Sequence, residues 1–496
     1  MARTLLVLTT ILLAAAPSYA ADNPLNRGMQ LYSKHLYDEA GTALYACLPA
    51  ASPTELGKTY LGLGMTCLAS AELYRELYRA SLRAQVDYLG RLVASKEPNR
   101  SRYASLYLGR AALESGKSVE AASLLGRCIR DQAMRPEDRA LARLYLGECL
   151  YRQGKIKDAE RLWFALNPMD PEVRCGLAAT YSRLGLEGKK PVAMGEEALA
   201  SARQSKQGPS IRIITDLIEV YAREGQFEKG LALVGQTDLS AYSYEETVDA
   251  HKVIRFYDPS LLRNLSLLYG MASLQSLERA ATDGQVKQAA NYYLGAAQAR
   301  FGSFVASNQV LDLVLATGEA PAQYRAKAAV LQAVNRCRQA DQKQRQEMQG
   351  ELERLAGPTA EAQVVAEVLS ACSTLEIECP EIERRASLLA GAGERASMAE
   401  LYRALGSYYL QRKDYAKAIS CVEAGRDKSN KNSIVHNDPL MLIKLAEAYY
   451  ETRKFSEALE IYFEMSKHFP AVRQIQVAMQ GVYAREQKSA GDARLF

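Results

Sequence analysis

The sequence is short of residues that interrupt helices and of residues that favour strands. Only 16 of its 496 residues are proline, and tryptophan occurs once. Runs of valine, isoleucine and threonine are rare, whereas alanine, leucine, glutamate and arginine recur along the whole chain. Since the first group favours sheet and the second favours helix, the composition predicts an all-α protein. A chain of this length exceeds one compact core, so we expect several domains or an elongated repeat array.

Long blocks of like charge are also missing. The 62 basic and 57 acidic residues give a net charge of +5 at pH 7, which does not support nucleic-acid binding. The four histidines are scattered and form no close-spaced metal motif: His35, His251, His436 and His468. Phosphate-binding loops and nucleophile elbows do not occur either. The sequence therefore predicts no catalytic residue, no metal and no cofactor.

Residues 1–20 have the pattern of a secretory signal. Arg3 supplies the positive start, an apolar run follows over residues 5–16, and Ser18 and Ala20 are small residues of the kind that signal peptidase recognises. The alternative is an uncleaved membrane anchor, but the run is too short to span a bilayer comfortably. We expect cleavage after Ala20 and a mature protein that is periplasmic, or otherwise exported, and not inserted in the membrane.

Two distant segments share one pattern of large, small and aromatic residues. The first consists of Leu146, Gly147, Leu150, Tyr151, Gly154, Ile156, Ala159, Trp163, Leu166 and Pro171. The second consists of Leu445, Ala446, Tyr449, Tyr450, Phe455, Ala458, Tyr462, Met465 and Pro470. Residues three, four and seven apart share one helical face, and small residues allow two helices to approach closely. The pattern resembles the tetratricopeptide repeat, and this resemblance implies a right-handed α-solenoid of helix pairs.

The resemblance varies along the chain and suggests the domain limits. After the signal peptide, the predicted parts are N-terminal repeats (21–238), a degenerate helical region (239–395), a C-terminal repeat pair (396–472) and a capping helix with a tail (473–496). Leu63 and Gly64 open a repeat whose second half departs from the pattern, because Glu76 stands where a small residue belongs. In the degenerate region, residues 324–355 are predicted to form one long charged helix that ends at Gly357.

In this family, the first helix of each repeat lines the concave surface. Carried over by position, the partner-binding residues would be Arg110, Glu114, Glu148, Tyr151, Arg152, Arg403, Ser407, Gln411, Glu447, Tyr450 and Glu451. Tyrosine and arginine are frequent anchors of protein interfaces, although any single one of these residues is equally consistent with an ordinary exposed helix face. Their charges are mixed, so the surface lacks the all-basic clamp that some family members use to hold a peptide carboxylate.

The nine cysteines admit two interpretations. They contain no Cys-x-x-Cys motif, and those near small repeat positions are readily explained as small apolar core residues. Alternatively, three pairs are candidate disulfides in an exported protein: Cys47 with Cys67, Cys128 with Cys149, and Cys372 with Cys379. In the first two pairs, one cysteine lies on a second helix and the other on the following first helix. An odd number leaves at least one thiol outside such pairs.

These observations predict a non-catalytic scaffold or adaptor of the bacterial cell envelope. Its concave surface would bind a protein partner, as in envelope assembly, secretion or polysaccharide export, although this step rests on analogy with the family. One alternative is a carbohydrate-binding solenoid, to which the 29 tyrosines lend some support. Another is a helical accessory to a cell-wall enzyme.

Overall fold

The computed structural model describes residues 23–486 with short gaps. The gaps are 94–97, 115–117, 167–169, 187, 207, 243, 250–251, 257–258, 281–282, 301, 317, 319, 340–341, 376, 394–397, 428, 470–474, 476–477 and 484. The predicted signal peptide, residues 1–20, lies outside the described residues. Most of the predicted capping helix and tail (473–496) also lies outside them, but Ile475, Ala478 and Val482 are described as buried against the preceding repeats.

The described chain is built almost entirely from α-helices. In order they are α1 (Pro24–Ser33), α2 (Tyr37–Cys47), α3 (Pro53–Val93), α4 (Pro98–Glu114), α5 (Ser118–Arg130), α6 (Pro136–Arg152), α7 (Ile156–Phe164), α8 (Pro171–Leu184), α9 (Pro191–Arg203), α10 (Ile211–Arg223), α11 (Phe227–Gln236), α12 (Pro259–Ala280), α13 (Gly284–Arg300), α14 (Phe304–Ala316), α15 (Ala322–Gln339), α16 (Gln342–Leu355), α17 (Ala362–Leu375), α18 (Pro380–Ala392), α19 (Ala399–Gln411), α20 (Tyr415–Gly425), α21 (Pro439–Glu451) and α22 (Phe455–His468). This confirms the all-α solenoid.

A feature that the sequence did not predict follows α11. A short 3-10 helix (Leu239–Tyr242) leads into β1 (Tyr244–Asp249), which pairs antiparallel with β2 (Lys252–Phe256). The register places Tyr244 opposite Phe256, and an irregularity follows Thr247. This hairpin separates the N-terminal helix pairs from α12. It falls at the start of the region predicted to be degenerate and helical.

Several helices begin at an Asx-Pro pair, which fixes their first turn. The carboxylate of Asp170 accepts the backbone N–H groups of Glu172 and Val173 at 2.9 and 3.2 Å, and Pro171 follows at the first helical position. Asp438 and Pro439 begin α21 in the same way. These side chains satisfy N–H groups that have no partner within the helix, while proline lacks the N–H that would be left unpaired there.

The turn within six of the helix pairs repeats one backbone conformation. Gly154, Gly225 and Gly302 have positive φ angles and stand two residues before the second helix begins. His35, Lys413 and Arg453 occupy the same place in other pairs, also with positive φ, at 60°, 61° and 63°. The left-handed region favours glycine, so the turn imposes this conformation even where a side chain makes it costly. Because Gly302 lies between α13 and α14, the degenerate region keeps the repeat turn.

Small residues stand where the two helices of a pair cross. A Cβ added to Gly109 would lie 2.8 Å from Cγ of Leu125, and one added to Gly406 would lie 2.5 Å from Cγ2 of Val422. The same arrangement holds in the degenerate region, where a Cβ on Gly295 would meet Leu311 at 2.7 Å. The close crossing therefore runs from the N-terminal pairs to the C-terminal ones.

Helix α3 departs from this plan. It is a single helix of 41 residues, where the sequence indicated the start of a helix pair at Leu63. A Cβ on Gly64 would lie 2.5 Å from Leu274 of α12, and a Cβ on Gly270 would lie 3.2 Å from Cys67. Two glycines on facing helices allow their backbones to approach closely. The small residue at position 64 therefore serves a long-range crossing with α12 and not a local repeat.

Two clusters of buried apolar side chains meet at α3. Leu68 and Ala71 belong to a cluster formed with α8 to α13. Leu73 and Leu77 belong to another that extends from α12 through α15 to α22. We call α4–α11 the first arc and α12–α22 the second arc. Since α3 contacts α4, α12 and α21, the chain returns to α3 at the end of each arc, and the array is closed.

Candidate functional site

The inner side of the first arc carries a continuous series of ion pairs. Arg183 of α8 contacts Glu148 of α6 at 2.9 Å and Glu219 of α10 at 3.2 Å. Arg223, one turn beyond Glu219 on α10, contacts the same carboxylate at 2.9 Å. The side chains of Glu148 and Glu219 are only 1% and 4% exposed. We call these four residues the first-arc ion-pair row; it ties three successive first helices together.

The charges in this row keep its carboxylates ionised. Burial would raise the pKa of Glu219, but the nearby charges of Arg183 and Arg223 outweigh burial and hold its pKa well below the usual range. The pKa of Glu148 is lowered despite burial in the same way, by Arg183 and Arg152. A buried carboxylate that is compensated on two sides fixes its partners in place, because losing either partner would leave a charge without compensation.

Asp216 lies next to the row, but its pKa is shifted in the opposite direction, upwards. Burial, together with the negative charge of Glu219, raises the pKa of Asp216 to about 7. The charges of Arg212 and Arg183 act against this rise but do not overcome it. Among the described residues, Asp216 has no hydrogen bond or ion pair. Its protonation therefore changes near neutral pH.

The second arc carries another group of charges, contributed by α3, by four helices of the arc and by Asp438, the residue before α21. We call the following residues the second-arc charge cluster: Glu72, Arg300, Lys327, Glu367, Glu400, Arg403 and Asp438. Arg300 pairs with Glu72 at 3.1 Å, joining α13 to α3. Two further pairs connect neighbouring helices: Arg403 with Asp438 at 3.1 Å, and Lys327 with Glu400 at 3.8 Å.

A third contact closes the second arc onto α3. Lys444 of α21 donates to Glu76 of α3 at 2.6 Å, and Glu447 lies 3.6 Å from the same ammonium group. Burial would raise the pKa of Glu76, but Lys444, Arg79 and Arg75 hold it well below the usual range. We call the Glu76–Lys444 pair the closing contact. It accounts for the acidic residue that interrupted the repeat pattern at position 76.

The structure distributes the predicted concave residues of the first arc among different environments. Glu148 is buried in the ion-pair row, and Arg152 lies beside it, partly exposed. The ring of Tyr151 is half-buried against Trp163, with ring centroids 6.0 Å apart. Arg110 is half-buried over the ring of Tyr145. Glu114 is the last residue of α4, and its side chain lies outside the described part of the structure.

The predicted partner-binding residues of the second arc are likewise divided between buried and partly exposed positions. Arg403 belongs to the second-arc charge cluster, Ser407 is half-buried, and the exposed Gln411 accepts a hydrogen bond from Ser373 at 2.9 Å. Tyr450 and Glu447 are buried, at 6% and 5% exposure, and Glu451 is half-buried and paired with Arg485 at 3.8 Å. All of these predicted residues lie on first helices, as expected. Tyr450 and Glu447, however, are buried, so they stabilise the array and present little surface to a partner.

The structure records all nine cysteines as free thiols. Cys47 and Cys67 lie in different apolar clusters, because Cys67 faces α12. Cys128 and Cys149 share one cluster. Cys372 and Cys379 are in contact: the neighbouring Cys379 thiol and burial raise the pKa of Cys372. Of the three candidate disulfides, a direct contact is seen only for the last pair. Thiol counts with and without reductant would test each pair.

Sequence reasoning missed the residues that α3 contributes to the second arc. Glu72 belongs to a helix that was expected to form an ordinary repeat, and only its tertiary contacts bring it to Arg300. The one available signal was the break in the repeat pattern at Glu76.

In the described part of the chain, no group of three or more histidine, cysteine, aspartate or glutamate side chains is arranged to hold a metal ion. None of the described helices is long and apolar enough to cross a membrane.

Stacked helix pairs with close crossings, a recurrent turn and charged inner faces define a solenoid of helical repeats. Residues 106–171, which run from within α4 to the start of α8, match the model of the tetratricopeptide repeat. This part of the chain therefore consists of tetratricopeptide repeats. Such repeats mediate contacts between proteins, so the fold supports a protein-interaction scaffold.

Comparison with solved structures finds matches of low sequence identity and low TM-score. One comes from the crystal structure of the APC/C hetero-tetramer Cut9–Hcn1, at 11% identity and a TM-score of 0.29, covering 97% of this chain and 99% of that one. Another is the TPR domain of P58(IPK), at 13% identity and a TM-score of 0.22, covering 79% of this chain and 99% of that one. These scores do not establish a common overall shape. A search of curated proteins finds no match.

Proposed function

We propose that this protein is a non-catalytic scaffold of the bacterial cell envelope that binds a protein partner along the inner side of its arcs. The observation that carries the proposal is the combination of packing and exposure in the second arc. Arg300 and Glu400 keep 37% and 44% of their side-chain surface exposed while the helices beneath them are closely packed. A rigid surface of partly exposed charged side chains suits recognition without chemistry.

A site-specific crosslink tests partner binding. A photoreactive amino acid replaces Gln411, the exposed last residue of α19, and the protein is irradiated in intact cells. We expect one discrete adduct that contains a second protein. The same replacement at Arg384, an exposed residue of the second helix α18, is the control and should give no such adduct. Equal adducts at both positions, or none at either, would contradict the proposal.

The envelope location is tested separately. It is supported by the apolar run and the small residues that precede position 21. We expect the protein purified from cells to begin at Ala21 and to fractionate with the envelope, as measured by intact mass and by cell fractionation. A full-length mass in the cytoplasmic fraction would contradict the location and leave partner binding intact. Hydrolysis of cell-wall glycan by the purified protein would contradict the non-catalytic assignment.

A further inference from the structure

One face of α3 carries a row of charged side chains at the place where α13 and α21 contact it. Glu72, Arg75, Glu76 and Arg79 are three or four residues apart, so their side chains share this face. Arg75 contacts Glu72 at 3.5 Å and Glu76 at 3.3 Å. Arg79 contacts Glu76 at 3.1 Å. Direct ion pairs therefore connect all four side chains.

Two neighbouring helices add charges to this row. Arg300, the last residue of α13, contacts Glu72 at 3.1 Å, and Lys444 of α21 contacts Glu76 at 2.6 Å. Glu447, one turn after Lys444, lies 3.6 Å from the ammonium group. Each of these residues is joined to the row by an ion pair, so three helices contribute to one site. We call the following residues the α3 seam: Glu72, Arg75, Glu76, Arg79, Arg300, Lys444 and Glu447.

The α3 seam has more cations than carboxylates. Its three carboxylates face four cations, which are Arg75, Arg79, Arg300 and Lys444. Burial would raise the pKa of Glu72, but Arg300 and Arg75 hold it below its usual value, so this carboxylate is ionised at neutral pH. In the described structure, the other carboxylates of the second-arc charge cluster lie beyond ion-pair distance of all four cations. The seam therefore carries a net positive charge.

Exposure differs between the two signs of charge. The side chains of Arg79 and Arg300 are 51% and 37% exposed, whereas those of Glu76 and Glu447 are only 6% and 5% exposed. The carboxylates are thus covered, while the guanidinium groups reach solvent. A guanidinium has five N–H donors, and the described contacts leave some unused: Nε of Arg75 is buried without a hydrogen-bond partner. An incoming group therefore meets positive charge and unused donors.

This surface suits an acidic polypeptide segment. Guanidinium groups bind carboxylates through parallel charge-assisted hydrogen bonds, which are stronger than hydrogen bonds between neutral groups. Among the four cations, only Arg79 has more than half of its side-chain surface exposed, and Lys444 is 17% exposed. A flat membrane surface would reach little beyond Arg79, whereas the side chains of an extended peptide can also reach the less exposed cations.

We propose that the α3 seam binds an acidic segment of the protein partner, with Arg79 and Arg300 as the first contacts. Carboxylates of that segment accept hydrogen bonds from these two guanidinium groups. Glu76 and Glu72 hold the two arginines in position from below. This inference rests on the proposed scaffold function and specifies the chemistry of its partner.

Peptide titration tests this inference. The probes are short peptides, acetylated, amidated and labelled with an uncharged fluorophore, each with four central glutamates, glutamines or lysines. We expect the glutamate peptide to bind roughly tenfold more tightly than the glutamine peptide, which is the magnitude of one charge-assisted hydrogen bond, and to lose this preference as salt is raised. The lysine peptide should bind most weakly. Equal binding of the glutamate and glutamine peptides, or no binding of any peptide, would overturn the proposal.

Vesicles distinguish a peptide from a membrane as the anionic ligand. The protein is sedimented with vesicles of phosphatidylglycerol and, separately, of phosphatidylcholine. We expect it to remain in the supernatant with both. Sedimentation with the phosphatidylglycerol vesicles alone, without a glutamate preference among the peptides, would overturn the proposal in favour of a membrane surface.

Variants identify the residue responsible and separate binding from stability. Arg79→Gln should weaken binding of the glutamate peptide by roughly fivefold, because an exposed cation is lost. Its melting temperature should change little, since Glu76 keeps two other cations and exposed arginines contribute little to stability. Arg79→Lys should keep most of the preference because the charge remains.

Arg384→Gln is the matched control for these variants. Arg384 also follows its glutamate partner by three residues and is 69% exposed, but it lies on α18, outside the seam. This variant should change neither peptide binding nor the melting temperature. An undiminished glutamate preference in Arg79→Gln, or an equal loss in Arg384→Gln, would refute binding at the seam.

The outcome is distinguishable from failure of the scaffold function. If the peptides show no glutamate preference while the crosslink from Gln411 still forms, the inference fails and the proposed function stands. If the glutamate peptide binds through Arg79 as expected but no crosslinked partner is found, the acidic-segment site stands and the scaffold function fails.

Discussion

The small residues of the repeats are required by the large side chains opposite them, and Gly147 shows this most directly. A Cβ on Gly147 would lie 2.2 Å from Nε1 of Trp163. The indole N–H of that tryptophan donates to the carbonyl of Leu144 at 3.2 Å. A larger residue at position 147 would therefore have to displace a buried aromatic ring and its hydrogen bond together.

We expect Gly147→Ala to lower the free energy of unfolding by about 1–3 kcal/mol, the usual cost of overpacking a core. Gly126 lies within α5 with nothing within 4 Å of its added Cβ. Gly126→Ala should therefore raise the free energy of unfolding by about 0.5–1 kcal/mol, because alanine loses less backbone freedom in a helix. Urea denaturation of both variants provides the test. Similar effects at the two positions would refute the packing argument.

A second prediction at this scale concerns pH and Asp216. Its pKa is about 7 in the folded protein, against a usual value of 3.8. Between these values the folded state holds the proton that the unfolded state has released, so stability should fall as pH rises through this window. Asp216→Asn should reduce this fall, as measured by urea midpoints from pH 4.5 to 8. Asp158→Asn, on the exposed side of α7, is the control and should keep the wild-type slope.

At the scale of helices, the first-arc ion-pair row fixes how α6, α8 and α10 sit side by side. Because its carboxylates are buried and each contacts two arginines, removal of one member leaves other charges without compensation. The apolar residues between these helices would allow some sliding, whereas an ion pair with defined geometry restricts it. The row thus contributes specificity of alignment more than it contributes net attraction.

The row predicts a strong effect of Glu219→Gln, which leaves Arg183 and Arg223 without their shared carboxylate. We expect a loss of about 3–5 kcal/mol in the free energy of unfolding, the cost of breaking a buried pair from one side. Glu381→Gln breaks a pair whose side chains are 75% and 69% exposed, and its effect should stay within about 1 kcal/mol. Chemical denaturation distinguishes the two. A small effect at position 219 would mean that the row is well hydrated.

At the scale of the whole molecule, α3 makes the chain a closed array. Both apolar clusters include residues of α3, and the closing contact connects it to α21 near the C-terminal end of the second arc. Closure brings the charged residues of α3 next to those of the second arc. It also makes residues distant in sequence depend on each other for stability.

Closure is tested by reversing one charge. Lys444→Glu places a carboxylate beside Glu76 and Glu447, and such like charges cost several kcal/mol when desolvated. We expect the second arc to open from α3, with an increase in the radius of gyration by small-angle X-ray scattering and faster amide exchange in α21. Lys417→Glu, 62% exposed on α20, should leave the scattering unchanged. An unchanged radius for Lys444→Glu would show that apolar packing alone closes the array.

The repeat pattern predicted the helix pairs well because its signal is local. Gly147 and Trp163 lie on adjacent helices, so the requirement for a small and a large residue is readable within one repeat. The long charged helix predicted over residues 324–355 is instead two helices, α15 and α16. The β hairpin was missed because its strand signal is brief and β2 contains only Val253 and Ile254 as β-branched residues.

The sequence by itself determined the helical class, the crossing points and the repeat turns, because these depend on residues a few positions apart. Only the tertiary structure decided the role of α3, since its partners in α12 and α21 lie hundreds of residues away and no short-range pattern encodes that pairing. The same applies to the candidate site. Glu219 is one glutamate among many in the sequence, and it becomes distinctive only when folding buries it between Arg183 and Arg223.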